Sequence, residues 1–478
     1  MGDTGNVVYP KGYQRFESSR LRLNNQTRTL FVEGGANFPC RNYLRIYMNG
    51  YLLTKTIDKV KGDKFLTNSL IFFIGSFLAG IGGYLYQFLT ARMLTVEVYG
   101  ELQSLLAILA VIGIPIGVIS TVLTKYTADF KAKGWPNKIH TLFSLFTKKI
   151  LTAAIIFFVI FVIFSGYIAK FLNLTSVFPL IILGTGFLFG FSNSINLGII
   201  RGLQKFKELS IISIISVFLK ILFAILLIKL GFAINGAVGA VVLAGLIGYL
   251  ISFYPLKFLF KQEKEKIETK EIFRYSFPVL FILLFTTLLY SLDIILVKHF
   301  FSAQIAGEYG ALAILGHIIF FITGPIVGVM FPMAADAHSN HTDSTKVFKK
   351  TIFLVSLIGV VILLSYFLLP GFIIKILIGS KFLPIGKFLG WFGLSMFLYS
   401  LVGLLAQYFL SIGKTKCAYL VGIGAILQVI LISIFHTNLW QIIWIMNGVM
   451  LVILLLLTFY YFKMNKYEQI NFSSNPSL

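Results

Sequence analysis

Charged side chains are scarce in this sequence, and acidic ones are the scarcest. Only 12% of the 478 residues are charged, and 41 Lys and Arg outnumber 18 Asp and Glu. A soluble globular domain carries about 25% charged residues. The chain is instead 57% hydrophobic and contains 49 Phe. This composition argues against an ordinary soluble domain and indicates a chain whose solvent is the lipid bilayer.

Cysteine and cofactor motifs are also rare. Cys40 and Cys417 are the only cysteines, and there is no CxxC pair or His/Cys cluster with metal-ligand spacing. Both cysteines are predicted to be cytoplasmic, so we expect no disulfide. No GxxxxGK[ST] phosphate loop occurs, which argues against direct use of ATP. We therefore expect no metal site and no cofactor.

Long apolar runs make up most of the chain. A helix needs about 20 mostly apolar residues to span the bilayer, and such runs must be helical because lipid offers the backbone no hydrogen-bond partner. Twelve runs qualify: residues 66–91, 102–124, 150–169, 177–200, 209–229, 234–256, 276–297, 309–331, 352–370, 388–410, 418–436 and 440–462. The predicted fold is all-α, a polytopic membrane protein of about 12 transmembrane helices.

The excess of basic residues follows the side of the membrane. If the first helix enters from the cytoplasm, the cytoplasmic loops and tail hold 22 Lys and Arg after residue 65, and the opposite side holds 7. The positive-inside rule then predicts a multi-pass protein of the plasma (inner) membrane with both termini in the cytoplasm. No loop is long enough for a folded basic domain, so nucleic acid is not an expected partner.

One segment occurs twice. Tyr-Gly stands at residues 99–100 and again at 309–310, and a proline follows each glycine fifteen residues later. Three further pairs match in the same order: Lys148-Lys149 with Lys349-Lys350, GYIAKFL (166–172) with GFIIKIL (371–377), and IRGLQKFK (200–207) with FLSIGKTK (409–416). The order predicts two six-helix bundles related by an axis along the membrane normal, an arrangement that in transporters places the substrate path between the halves.

The spans and the repeat divide the chain into five segments. These are a basic cytoplasmic extension (1–64), an N-terminal six-helix bundle (65–256), a charged cytoplasmic linker (257–274), a C-terminal six-helix bundle (275–463) and a cytoplasmic tail (464–478). The extension is polar and contains eleven Lys or Arg, which predicts disorder. Alternatively, Met48 is the true start of the protein. Residues 1–47 bear no apolar face and lie outside the repeat, so we expect them to contribute nothing to transport.

The sequence also resembles a known family. The stretches FLTARMLTVEVYGELQSLLAIL (88–109) and TVLTKYTAD (121–129), the repeated Tyr-Gly turns and the short Gly-Lys loop at 413–414 carry the resemblance. They are similar to the polysaccharide-transport flippases of the multidrug/oligosaccharidyl-lipid/polysaccharide exporter superfamily, over about residues 65–463.

The resemblance implies two pseudo-symmetric bundles around a central cavity. It also implies that the protein flips a polyprenyl-diphosphate-linked oligosaccharide to the outer leaflet by alternating access, for cell-surface polysaccharide biosynthesis. Expected partners are this lipid-linked substrate, membrane lipid, and a polysaccharide polymerase and glycosyltransferases. The family has no single invariant catalytic residue, so the expected site is a substrate pathway.

Charged residues inside the membrane are costly, so they are candidates for that pathway. Lys220 lies near the middle of the fifth span and Asp293 in the outer part of the seventh. Each either pairs with a neighbour or lines the cavity, where a lipid diphosphate would need cationic partners. Arg92 at the outer end of the first span is a candidate for the outward state, or an interfacial anchor. Arg201 is a candidate for the head group on entry, or an ordinary cytoplasmic charge.

Neutral and titratable groups supply the remaining candidates. Asn193 and Asn196 lie three residues apart and share a helix face, which suits either sugar binding or helix association. Coupling to a proton or sodium gradient would need a titratable group, and Asp293 is the best candidate. His317 is a second candidate for ion coupling, although a lone His on an apolar helix is usually a core residue.

Three other functions compete with flipping of an oligosaccharide lipid. A multidrug–cation antiporter of the same superfamily would favour acidic groups in the cavity, whereas the spans contain one Lys and one Asp. A peptidoglycan-precursor flippase is not separable by sequence. An integral-membrane glycosyltransferase or polymerase would need acids and bases on a shared face or in a large external loop, and the external loops are short. We therefore expect a transporter rather than an enzyme.

Overall fold

A computed structural model describes residues 22–24, 29–31, 37–39, 64–267, 270–339, 343–414 and 417–474. Predictions that concern the rest of the chain, including Cys40 and the proposed start at Met48, lie outside the described residues. The chain divides into two units, Met1–Leu70 and Ile71–Leu478.

The first unit contains a small antiparallel sheet within the segment that the sequence predicts to be disordered. Its strands are β1 (Arg22–Asn24), β2 (Thr29–Phe31) and β3 (Asn37–Pro39), in the order β1-β2-β3. Leu30 lies opposite Leu23 on one side and opposite Phe38 on the other. Apolar residues that face each other across strands favour strand pairing. The polar composition of the whole segment does not indicate this local pattern.

Seven helices form the N-lobe. They are α1 (Lys64–Met93), α2 (Val96–Ile112), α3 (Ile114–Ala132), α4 (Pro136–Phe171), α5 (Phe178–Gly202), α6 (Phe206–Leu227) and α7 (Ala233–Ser252). The second predicted span is thus two helices, which meet at Gly113, and Pro115 lies in the first turn of α3 where a missing N–H costs nothing. The lobe therefore carries six crossings on seven helices.

Helices α6 and α7 form an antiparallel hairpin. Gly236 at the start of α7 packs against Leu227 at the end of α6, and Gly248 near the end of α7 packs against Ser216. The connection runs through the π-helical segment Ile228–Phe232, where Gly231 has φ +89°. Glycine suits this left-handed conformation because it has no Cβ.

Seven helices also form the C-lobe. They are α8 (Lys270–Phe300), α9 (Ala303–Ser339), α10 (Ser344–Leu368), α11 (Pro370–Leu377), α12 (Gly386–Ser411), α13 (Cys417–Ile434) and α14 (Leu439–Ser474). A 3₁₀ turn, Ser380–Ile385, precedes α12. The short helix α11 falls on the repeated GFIIKIL sequence, and α14 continues into the segment predicted as a tail.

The two-lobe bundle of about twelve membrane helices confirms the predicted fold class. In the described part of the chain, ten helical stretches are long and apolar enough to cross a membrane. One of these stretches, Phe206–Ser252, is the α6–α7 hairpin and crosses twice, and α1 adds the remaining crossing.

The charged linker between the lobes is attached to the start of α4. It leaves α7 through a 3₁₀ segment, Tyr254–Lys261. The Thr141 hydroxyl accepts a hydrogen bond from the Glu265 backbone N at 2.8 Å, and Lys138 pairs with the Glu265 carboxylate at 3.4 Å. This pairing is exposed and contributes little stability, but it holds the connector against the N-lobe.

The two lobes share a buried core at one end of the molecule. At the end where α1, α4 and α8 finish, a single buried cluster includes Leu102 of the N-lobe and Leu312 and Phe392 of the C-lobe. At the opposite end, the core around Leu142 belongs mainly to the N-lobe but includes Ile272 at the start of α8, and the C-lobe has a separate core around Phe409. We call the first the joined end, and the charge distribution in the loops predicts that it is extracellular.

Candidate functional site

The two copies of the repeated segment meet at the joined end. A Cβ added at Gly100 on α2 would lie 2.6 Å from the Gly307 backbone N on α9, and one added at Gly310 would lie 2.8 Å from the Gln103 side chain. A Cβ at Gly307 would collide with the Val96 carbonyl. The backbones of α2 and α9 can approach this closely only because these positions are glycine. Related segments in direct contact place the pseudo-twofold axis at this crossing.

The tyrosines of the two Tyr-Gly pairs are both buried beside the crossing. Tyr99 packs edge-on against Phe382 of the C-lobe, with ring centroids 5.6 Å apart. The Tyr309 hydroxyl donates a hydrogen bond to Asp293 Oδ2 at 2.7 Å and contacts Met446 Sδ at 3.1 Å. The equivalent tyrosines therefore differ in role, because Tyr99 joins the lobes and Tyr309 ties α9 to α8 and α14 within the C-lobe.

Asp293 lies inside the C-lobe. Its side chain is completely buried, and its Oδ2 accepts from Tyr309. Its Oδ1 has no hydrogen-bond partner among the described residues. The structure therefore brings Asp293 to the helix crossing rather than to an exposed surface, and leaves one carboxyl oxygen for a proton or a cation.

Lys220 belongs to α6 of the N-lobe, and its side chain faces α1. Its ammonium stands over the Tyr86 ring, 4.7 Å from the ring centroid. Tyr86 is itself fixed, since its hydroxyl donates to the Ala237 carbonyl on α7 at 2.9 Å. The described residues contain no ion pair between Lys220 and Asp293. The cation is stabilised by an aromatic face instead, an interaction worth about 2 kcal/mol when desolvated.

Arg92 links the N-lobe to the C-lobe at the joined end. Its guanidinium donates to the carbonyl oxygens of Lys375, Ile376 and Leu377, with N–O distances of 3.2 Å to Lys375 and 3.3 Å to Leu377. These carbonyls end α11. In the opposite direction, Lys381 of the C-lobe donates to the carbonyl oxygen of Arg92 at 3.3 Å. Lys381 also donates to the Leu94 carbonyl at the end of α1.

A second polar contact between the lobes joins the ends of α4 and α8. His299 Nδ1 donates to the Phe171 carbonyl at 2.6 Å, and its ring stacks on that of Phe171 with centroids 4.0 Å apart. Lys298 donates to the Asn173 carbonyl at 3.4 Å, and Asn173 Nδ2 donates back to the His299 carbonyl at 3.1 Å. Nearby, Glu101 accepts two hydrogen bonds from Thr175 at 3.1 Å.

The predicted asparagine pair separates into two environments. Asn196 is buried, and its Nδ2 donates to Ser252 Oγ at 2.7 Å, which ties α5 to the end of α7. Asn193 is half-buried, and its Oδ1 has no hydrogen-bond partner among the described residues. Arg201 in the last turn of α5 is half-buried at the opposite end from Arg92, and its Nε has no partner in the same part of the chain.

His317 lies in an aromatic cluster of the C-lobe. Its ring packs edge-on against Tyr290 at 5.6 Å and against Phe320 at 5.3 Å. Its Nε2 is buried without a hydrogen-bond partner in the described residues. These surroundings are those of a core histidine. Phe392 packs against both His317 and Tyr309, with ring centroids 6.5 Å and 5.6 Å apart, so the aromatic cluster adjoins the Asp293–Tyr309 pair.

The sequence did not reveal the polar contacts between the lobes. From the sequence, Lys298 and Lys381 are only loop charges, and Arg92 is either a pathway residue in the outward state or an interfacial anchor. A signal was present, since GYIAKFL and GFIIKIL mark the helix ends whose carbonyls these residues bind. Among the described residues, no three His, Cys, Asp or Glu side chains are grouped closely enough to hold a metal ion.

Two bundles of six crossings that meet where the repeated segments cross form an arrangement found in membrane transporters. The sequence matches the family of polysaccharide biosynthesis proteins over residues 89–387, and the chain belongs to that family. This agrees with the resemblance to polysaccharide-transport flippases found from the sequence. Comparison with curated protein sequences gives no match.

Solved structures of membrane transporters share the fold. An inward-facing multidrug resistance MATE family transporter of the MOP superfamily superimposes with a TM-score of 0.69 at 12% identity, over 81% of this chain and 96% of that one. The lipid II flippase MurJ in an inward closed conformation gives 0.65 at 16% identity, over 82% and 87%. The MATE multidrug transporter DinF-BH gives 0.61 at 16% identity, over 83% and 94%. These are transporters and a flippase, which agrees with the expectation of a non-enzyme.

Proposed function

We propose that this protein flips a polyprenyl-diphosphate-linked oligosaccharide from the cytoplasmic to the outer leaflet by alternating access, for cell-surface polysaccharide biosynthesis. The observation that carries the proposal is the close crossing of the two repeats at the joined end, where one buried core contains residues of both lobes. Two rigid lobes that touch through small residues at one end can rock about that contact. The family match supplies the link to polysaccharide synthesis.

Lys220 supports an anionic substrate. It is a cation within the membrane that has an aromatic partner and, in the described residues, no carboxylate. A diphosphate head group can approach such a charge without displacing an ion pair. Asn193, with an unpartnered amide oxygen, is a candidate for the sugar, and Arg201 is a candidate for the head group at the opposite end.

Asp293 is the proposed ion-coupling residue. It accepts from Tyr309, and Tyr309 stands next to Gly310 at the crossing of α2 and α9. Binding of a proton or cation at the free oxygen would change this hydrogen bond, and the change would reach the contact about which the lobes move. His317 is the weaker candidate because its aromatic surroundings suit a neutral core residue.

The proposed orientation places both termini in the cytoplasm and the protein in the plasma (inner) membrane. Topology reporters fused after Gly62, Gly134, Lys264, Asn340 and Lys414 should all score cytoplasmic. An external signal at Lys264 would contradict the orientation and the parallel repeat together, since that position lies between the two bundles.

A flippase for a peptidoglycan precursor is the second candidate, favoured by the structural similarity to the lipid II flippase. Deletion of the gene in its host separates the two. The oligosaccharide proposal predicts that surface polysaccharide is lost while its lipid-linked precursor accumulates on the cytoplasmic face and peptidoglycan stays normal. Polymerase and glycosyltransferase partners would remain active in that strain. Arrest of peptidoglycan synthesis would replace the oligosaccharide proposal with the second candidate.

A further inference from the structure

The joined end is held by basic side chains that bind the carboxyl ends of helices in the other lobe. The last carbonyl groups of a helix have no intrahelical donor, and they form the negative pole of the helix dipole. Lysine, arginine and histidine near a helix C-terminus satisfy these carbonyls. Arg92 does so at the end of α11, although it belongs to α1 and the other lobe.

The second contact repeats this chemistry across the pseudo-twofold axis. The sequence repeat relates the first span to the seventh, and it relates the end of α4, GYIAKFL, to α11, GFIIKIL. Arg92 at the end of α1 binds the end of α11, and His299 at the end of α8 binds the end of α4. Different residues thus make the same contact in both halves.

Each contact is also reciprocal. In the first, Lys381 of the C-lobe donates back to the end of α1, so that each lobe binds a helix end of the other. In the second, Asn173 of the N-lobe donates back to the His299 carbonyl, while Lys298 donates to the Asn173 carbonyl. Separation of the lobes at this end would break all of these bonds at once.

We propose that Arg92 with Lys381, and His299 with Lys298, form two gate latches that hold the lobes together at the joined end and must open in each transport cycle. These hydrogen bonds form only when the lobes meet, so their full free energy stabilises the closed conformation relative to the open one. The inference rests on the proposed alternating access but not on the identity of the substrate. Arg92 is then a gate residue in this conformation, and it becomes free for an anion only when its latch opens.

Distances between spin labels test the latches without any substrate. Labels at Phe178→Cys in the N-lobe and Phe372→Cys in the C-lobe sit at the joined end on side chains that are 67% and 63% exposed. Cys40 and Cys417 are first replaced by alanine. In lipid nanodiscs, Arg92→Gln should raise the ratio of the separated to the closed conformation by roughly tenfold, because hydrogen bonds to a charged group are lost. Arg92→Lys should give a smaller change, and Arg92→Gln combined with His299→Ala a larger one.

Matched controls separate the latches from a general effect of charge. Lys170→Gln and Lys375→Gln remove exposed ammonium groups of the same joined end that make no hydrogen bond in either latch, and they leave the backbone carbonyl of Lys375 in place, so both should keep the unaltered distance distribution. Arg92→Gln protein that folds normally and gives the distances of these controls would overturn the proposal. If Arg92→Gln does not fold, Lys381→Gln opens the same latch from the other lobe and decides by the same criterion. Failure here leaves the flippase proposal standing, because the gene-deletion test does not involve the latches.

Discussion

At the residue scale, Lys220 is a charged residue inside the membrane whose partner is the aromatic ring of Tyr86. Its position inside an apolar helix is evident from the sequence, since a charge within a span is costly. Its contact with Tyr86 is not evident, because no sequence period relates α6 to α1. Asp293 is likewise visible as a charge, but its bond to Tyr309 depends on the packing of α8 against α9.

Replacement of Lys220 should therefore affect transport more than folding. Lys220→Gln removes the charge but leaves Tyr86 bonded to α7, so the melting temperature should stay within a few degrees of the unaltered protein. Flipping activity should fall at least tenfold, whereas Lys220→Arg should retain part of it. The control is Lys229→Gln, in the segment that connects α6 to α7. Normal transport by well-folded Lys220→Gln protein would exclude a substrate role.

The same protein tests whether Lys220 and Asp293 are energetically coupled. The two residues lie in different lobes and form no ion pair in the described part of the chain. The changes in unfolding free energy of Lys220→Gln and Asp293→Asn should then add to within about 0.5 kcal/mol in the double variant. A double variant that is more stable than Asp293→Asn alone would indicate a direct pair.

Asn193 and Asn196 give a second comparison at this scale. Asn196→Ala deletes the buried bond to Ser252 and leaves that hydroxyl without it, so the free energy of unfolding should fall by about 1–3 kcal/mol. Asn193→Ala removes an amide whose oxygen has no partner in the described residues, and stability should change little. Thermal unfolding in detergent measures both. Equal losses would show that the two positions do not differ as the structure indicates.

At the element scale, helices are predictable from the sequence, but their contacts are not. Twelve crossings follow from the apolar runs, because lipid forces the backbone to bond internally. The apolar runs do not predict the break at Gly113, the short helix α11 or the extension of α9 to Ser339. The extension of α9 is missed because polar residues that flank a span can continue its helix without an apolar signal. The repeat indicated two bundles, yet only the structure reveals that Gly100 lies on Gly307.

Because α2 and α9 cross so closely, a methyl group added at the crossing should destabilise the protein, whereas one added away from the crossing should not. Gly307→Ala places a Cβ against the Val96 carbonyl, and the resulting overpacking should destabilise the closed conformation by about 1–3 kcal/mol. Gly448→Ala on α14 meets nothing within 4 Å and should be neutral or slightly stabilising, since alanine favours a helix. Label distances across the joined end and thermal unfolding report the two effects. A Gly307→Ala protein indistinguishable from the Gly448→Ala control would contradict the close crossing.

At the scale of the whole molecule, two related bundles share a buried core at the joined end, and α8 of the C-lobe also packs into the N-lobe core at the other end. The sequence predicted the two bundles and the membrane class, and the membrane helices of the described residues agree with both. Which end is joined could not be predicted, because it depends on side chains from helices far apart in the chain. The proposed function requires a transport cycle in which this end opens while an anionic lipid crosses between the lobes.

The most direct measurement is flipping by the purified protein in proteoliposomes. A polyprenyl-diphosphate oligosaccharide with a fluorescent label is incorporated in both leaflets, and a membrane-impermeant reagent bleaches the label on the outside. We predict that the label in the inner leaflet becomes accessible to the reagent when the protein is present, and that Lys220→Gln protein leaves this label protected. Protection unchanged by the unaltered protein, with transport of a cationic dye in the same vesicles, would contradict the account and indicate a multidrug antiporter.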